Sequence, residues 1–131
     1  MEQYRLSFAR INILIDKIVE VVIDNYVNVS IEMVEELDTF LNNALDHPYG
    51  LLINKVNHYS YSFEATLIFA SLDNIKAIAV INYSKSSEEI TTNIMKQRQI
   101  DQLNIKSFSG LGLGYQQATA WLKNQLIKSA E

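Results

Sequence analysis

The sequence predicts an α/β domain, a mixed sheet with an antiparallel β-hairpin at its N-terminal end followed by helices and strands in alternation. Three observations carry this. Residues 4 to 15 alternate in polarity with period two, as a half-buried strand does. The short apolar runs "IVEVVI", "LLI" and "IKAIAVI" are strand-sized, and the last two read as strands covered on both faces. Between and after these runs, apolar residues recur at helical spacing behind Ser residues that can cap a helix. The predicted order is β-β-α-β-α-β-α-β-α, in one domain spanning residues 1–131.

Each element has its own reason. Tyr4, Leu6 and Phe8 share one parity, and Ile11, Ile13 and Ile15 share the other, with Asn12 interrupting. The switch near Ala9-Arg10 predicts a bulge or a turn. Asp16-Lys17 is a polar break, and Ile18 to Ile23 returns as the second strand of the hairpin. Ser30 is placed as an N-cap, with Ile31, Val34, Leu37, Leu41 and Leu45 on one helical face and Glu32 near the positive end of the dipole. Pro48 and Gly50 stop that helix. Leu51 to Ile53 is a strand, and Ser62 caps a helix expected to run to about Leu72. Ile75 to Ile81 is the next strand. Ser86 and Glu89 have capping-box spacing ahead of a helix reaching about Gln99, whose apolar face is narrow: Ile90, Ile94 and Met95. Leu103 to Phe108 is a last strand. Tyr115, Ala118, Trp121, Leu122, Gln125 and Leu126 outline a closing amphipathic helix.

Composition bounds the function. The 131 residues, 48% of them apolar, suffice for a core that removes roughly two-thirds of the unfolded surface from water. No cysteine is present, so disulfides and thiolate metal sites are excluded, and a reducing cytoplasmic location is the expectation. The first residues lack the basic and apolar regions of a secretory signal, and no apolar run approaches a membrane span. The net charge is −4 and the Lys and Arg residues are scattered, which argues against sequence-independent nucleic-acid binding.

The segments "KIVEVVID", "VSIEMVEELDTFLNNAL", "PYGLLIN", "FEATLIFAS", "IKAIAVI" and "ATAWLKN", in this order, resemble the SpoIIAA-like fold of STAS domains, closest to small stand-alone bacterial STAS/SEC14-like proteins. The resemblance spans nearly the whole chain and consists of apolar patterns. It implies a mixed sheet, no cofactor, and a regulatory role through protein–protein contact. It also implies a candidate phosphoacceptor at the start of the helix after the 51–53 strand. There Ser62 is the best positional match and Ser60 the second, while Asn54 stands where an Asp is expected and "NHYSYS" replaces an Asp-Ser-Ser-Gly type of sequence. Related folds also bind apolar or lipid-like molecules, by movement of the helix after "IKAIAVI".

The candidate sites therefore have two readings each. Ser62, Ser60, Tyr59 and Asn54 form a phosphoacceptor or partner-contact region, since a helix N-terminus favours a phosphate; alternatively Ser62 is simply an N-cap and the tyrosines pack half-buried. Ile90, Ile94 and Met95 form an apolar ligand or dimer face, or the inner stripe of an ordinary surface helix. His47 and His58 read as loop residues, belonging to no HxxxH-type pair. Gly110, Gly112 and Gly114 precede the last helix without the full phosphate-binding fingerprint, and read as a strand-to-helix connection. Glu35-Glu36 and Glu88-Glu89 are helical neighbours about a hundred degrees apart, hence not acid–base pairs. With no nucleophile, base and orienting group in view, the expectation is a non-catalytic interaction module with an unknown protein partner. A carrier or sensor of a small apolar or lipid-like ligand, a phosphoswitched regulator and a homodimer stand as alternatives.

Overall fold

The structure, a computed structural model, describes residues 2–14, 17–45, 48–62, 65, 74–83, 104–110 and 112–130. Among these, eight strands and two helices follow in the order β1 (Glu2–Arg5), β2 (Ala9–Ile13), β3 (Ile18–Ile23), β4 (Asn28–Val29), α1 (Ile31–Ala44), β5 (Tyr49–Asn54), β6 (Ser60–Tyr61), β7 (Ile75–Asn82), β8 (Asn104–Ser109) and α2 (Gly114–Ala130). The chain is α/β with a mixed six-stranded sheet in the order β1-β2-β3-β5-β7-β8, and a separate two-stranded sheet pairs β4 with β6. The predicted helices over 62–72 and 86–99 lie largely or wholly outside the described residues.

The N-terminal part is antiparallel, as expected, but has three strands where the polarity pattern predicts two. The parity switch is a turn over Leu6 to Phe8. The Leu6 N–H donates to the Ala9 carbonyl at 2.8 Å, and the Asp24 N–H donates to the Phe8 carbonyl at 2.9 Å. β1 thereby folds back on β2, pairing Arg5 with Arg10, and β2 pairs in turn with β3. Asp24, just beyond β3, accepts from the Arg5 guanidinium, closing the open end of the turn. From β3 onward every neighbour is parallel.

Parallel strands need a covering layer on each face, and the side chains show one. On one face, Val19, Val21, Leu51, Ile53, Ile78 and Val80 join Val34, Leu37 and Leu41 of α1 in a buried cluster. On the other, Ile18, Leu52, Ala77, Ala79 and Ile81 meet Ala118 and Leu122 of α2. Successive residues of β5 and β7 thus alternate between the two cores, as the pleat requires. The alanines on the second face give α2 room to lie close to the sheet. Helix α1 starts as the sequence predicts. Ser30 has extended backbone angles and its hydroxyl accepts from the Met33 N–H at 3.3 Å. No helix of the described residues is long and apolar enough to cross a membrane.

The consequence for function is directional. Since β3, β5, β7 and β8 run the same way, the segments that follow them all emerge at one edge of the sheet. Open α/β sheets tend to place ligand contacts there, because loops at the strand ends are freed from the ladder while remaining anchored by it.

Candidate functional site

Strand β5 ends at Asn54, and Lys55 follows it at this edge. Consecutive strand residues point to opposite faces, so the two side chains enter different clusters.

Asn54 faces the side covered by α2. Its amide donates to Glu20 Oε2 at 3.1 Å and its carbonyl oxygen accepts from the Tyr83 hydroxyl at 2.8 Å. The other Glu20 oxygen accepts from Asn12 Nδ2 at 2.7 Å. Asn12 and Glu20 are direct cross-strand partners on β2 and β3, and both are buried. Among the described residues the buried carboxylate is therefore held by two amide donors, which is the hydrogen bonding a buried charge requires. Asn12 Oδ1 is buried without a hydrogen-bond partner among the described residues. Burial, and after it the negative charge of Glu20, raise the Tyr115 phenol above its ordinary pKa. The Tyr83 ring sits against Gly110, where any Cβ would collide with it. Gly112 adopts φ 76°, a conformation that L side chains rarely take. Two glycines of the run before α2 are thus accounted for by local packing and backbone geometry.

Lys55 faces the other side. Its backbone N–H donates to the Ile81 carbonyl at 3.1 Å, fixing it to the end of β7. The residue is only 4% exposed, and its ammonium has no hydrogen-bond partner among the described residues. Nζ lies 4.8 Å from the centre of the Tyr59 ring and 5.9 Å from that of Tyr61. The two rings meet edge to face at 5.6 Å. Aromatic faces attract a cation, though by less than burial costs it. Burial therefore lowers the Lys55 pKa to about 8. Burial likewise pushes Tyr61 up to about 12 and, with the neighbouring phenol, holds Tyr59 well above its usual range. The Tyr59 hydroxyl is buried, with the Tyr61 phenol as its polar neighbour.

The loop between these tyrosines and β5 is pinned by its backbone. The Tyr26 N–H donates to the His58 carbonyl at 2.6 Å, the His58 N–H to Asn25 Oδ1 at 2.9 Å, and Asn57 Nδ2 to the Ile23 carbonyl at 2.9 Å. β6 then pairs with β4, and the Ser60 hydroxyl donates to Asn28 Oδ1 at 3.0 Å. The Ser62 hydroxyl accepts from the Ala65 N–H at 3.1 Å, in the manner of an N-cap. The structure thus brings Asn54, Tyr59, Ser60 and Ser62 together at one edge. It separates Asn54 from Tyr59 by the thickness of the sheet. Ile90, Ile94, Met95 and His47 lie outside the described residues.

Sequence reasoning missed Glu20, Lys55, Tyr83 and Tyr26 as site residues. Glu20 does carry a signal, being the one charged residue inside "IVEVVI", matched by Asn12 inside the alternating isoleucines. Lys55 carries none, because a lysine after a strand ordinarily points its amine to water.

Two expectations follow. Asn54→Asp places a second carboxylate against Glu20 and removes a donor from it. The variant is expected to lose about 1–3 kcal/mol at pH 7. Two facing carboxylates titrate at raised pKa in the fold, so the loss relative to the parent shrinks as pH falls to 4; urea unfolding at both pH values reads it. Lys55→Met is expected to stabilise the chain by up to about 3 kcal/mol at pH 7, the cost of a pKa lowered from 10.5 to about 8. Well below pH 8 both folded and unfolded chains hold the proton and the cost is fully present. Between 8 and 10.5 the folded chain releases it first, so parent stability rises with pH. The raised tyrosines oppose this from about pH 10, where the unfolded chain ionises first. The gap between Lys55→Met and the parent should therefore narrow from pH 8 to about 9.5, and a constant gap refutes the assignment.

Comparisons of the chain with protein-family models, curated proteins and solved structures gave no match. The function is accordingly read from the site itself.

Proposed function

We propose that the chain is a non-catalytic, STAS-like regulatory module that binds a partner protein through the edge where its parallel strands end. One observation carries this reading. Among the described residues, seven large apolar or aromatic side chains are exposed, and five of them, Tyr26, Val56, Tyr83, Leu113 and Tyr115, follow the C-terminal ends of β3, β5, β7 and β8. Scattered exposed apolar residues need no explanation, but gathering at one edge does.

Tyr26 is the centre of the argument. It is 89% exposed and its φ is 65°, in the left-handed region that costs a non-glycine residue of order 1 kcal/mol. The Tyr26 N–H bond to the His58 carbonyl, the His58 N–H bond to Asn25 Oδ1 and the Asn57 side-chain bond to the Ile23 carbonyl hold that conformation in place. Its backbone N–H pins the 57–58 loop, while its ring, exposed to water, adds little burial to the fold. Tyrosine on a rigid support is a common anchor of protein interfaces, since it supplies large contact area at little cost in side-chain entropy. Asn25, Asn57 and His58 stand beside Tyr26 and Val56, and the nearby Asp24 is already paired with Arg5. This suits a partner surface with an apolar centre and a polar rim. The parallel order β3-β5-β7-β8 with α1 and α2 on opposite faces is compatible with the resemblance to STAS domains.

Photo-crosslinking in the host tests the reading. A benzophenone side chain at position 26 or 56 is expected to give one discrete protein adduct, and the same probe at Thr39, exposed on α1, none. Tyr26→Ala is expected to abolish the adduct formed from position 56 while leaving the unfolding midpoint unchanged or slightly raised. Identical adducts from positions 39 and 56 would contradict the proposal, as would an adduct with the mass of two copies of this chain.

A further inference from the structure

The amine of Lys55 has no use in the interaction just described, and it is the least compensated buried group of the described residues. Lysine is rarely buried without an acceptor. Here the described residues supply two tyrosine rings and neither a carboxylate nor a carbonyl oxygen to the ammonium. We propose that Lys55 is an imine-forming site, its amine condensing with the carbonyl of a small aromatic or apolar aldehyde that packs against the Tyr59 and Tyr61 rings.

The chemistry fits the surroundings. A nucleophilic amine must be neutral, and desolvation near apolar groups is one way that proteins keep lysine neutral near pH 7. With a pKa of about 8, a sizeable fraction of Lys55 carries a free lone pair at pH 7.5, against about one part in a thousand for an ordinary lysine. The lone pair attacks the carbonyl carbon and the C–N bond forms. The nitrogen gives up its protons to the carbonyl oxygen, the C–O bond breaks and water leaves. The sum is amine plus aldehyde to imine plus water, without oxidant or reductant. The protonated imine is again a cation, and it occupies the place over the tyrosine rings that the ammonium holds in the free chain. Lys55 lies one residue beyond β5 and is itself buried, while its neighbour Val56 is 55% exposed.

The test uses the intact chain at pH 7.5 with benzaldehyde and sodium cyanoborohydride, which reduces an imine to a stable secondary amine. Labelling is stopped at low conversion and mapped by peptide mass spectrometry. Eight lysines compete. Lys55 is expected to be labelled at least about tenfold faster than any other, and the preference is expected to vanish in urea. In Lys55→Met, which is expected to fold more stably than the parent, the fast site disappears and the slow sites remain. Labelling of Lys55 at or below the rate of the surface lysines would overturn the proposal. A preference that survives unfolding would overturn it too, since it would then belong to local sequence rather than to the folded cage.

Discussion

The molecule depends on strand β5 being covered on both faces until it ends. Leu51 and Ile53 belong to the core beneath α1, and Leu52 to the core beneath α2. The pleat continues that alternation into the next two polar residues, so the half-buried Asn54 and the buried Lys55 are carried to opposite sides. One turns to a buried carboxylate with two amide donors. The other turns to two tyrosine rings and no acceptor. A β5 with a solvated face would leave one of these groups wet and ordinary.

The two clusters solve the burial problem differently. Glu20 has a hydrogen bond to each oxygen, and Asn54 passes the chain of bonds on to Tyr83 at the surface. This gives a physical reason for the asparagine where the family resemblance leads one to expect aspartate. The position faces a carboxylate, to which an amide can donate and an ionised aspartate cannot. Lys55 is not satisfied in this way, and its lowered pKa is the consequence. A bonded buried group holds a fold in register, whereas a group left without an acceptor costs the fold free energy.

Much of the fold was legible in the sequence, for identifiable reasons. Ser30 caps α1 as its position before Ile31 and Val34 predicts, and "IKAIAVI" is a strand covered on both faces. These features are local, fixed by cap chemistry and by periodicity over a few residues. The split of the first strand was less legible, because a parity switch at Ala9 fits a bulge as well as a turn. β4 and β6 are two residues each and leave no period to read. The site was legible in place but not in content. The 54–62 segment was marked by its position after a strand, and Ser62 by its capping geometry. The burial of Lys55 arises only when β6 pairs with β4 and brings Tyr59 and Tyr61 over the end of β5. The bond between Asn54 and Glu20 joins residues 34 apart in the chain. Such pairings depend on sheet order, which no single stretch encodes.

The most direct test is an NMR titration of the chain with its lysine ε-carbons labelled with carbon-13, from pH 6 to 11. One of the eight lysine signals, identified by its loss in Lys55→Met, is expected to titrate with a midpoint near 8, as burial without an acceptor requires. A Lys55 signal in the ordinary lysine range around 10.5 would mean that Lys55 reaches water or a carboxylate, and that the end of β5 is not the doubly covered edge described above.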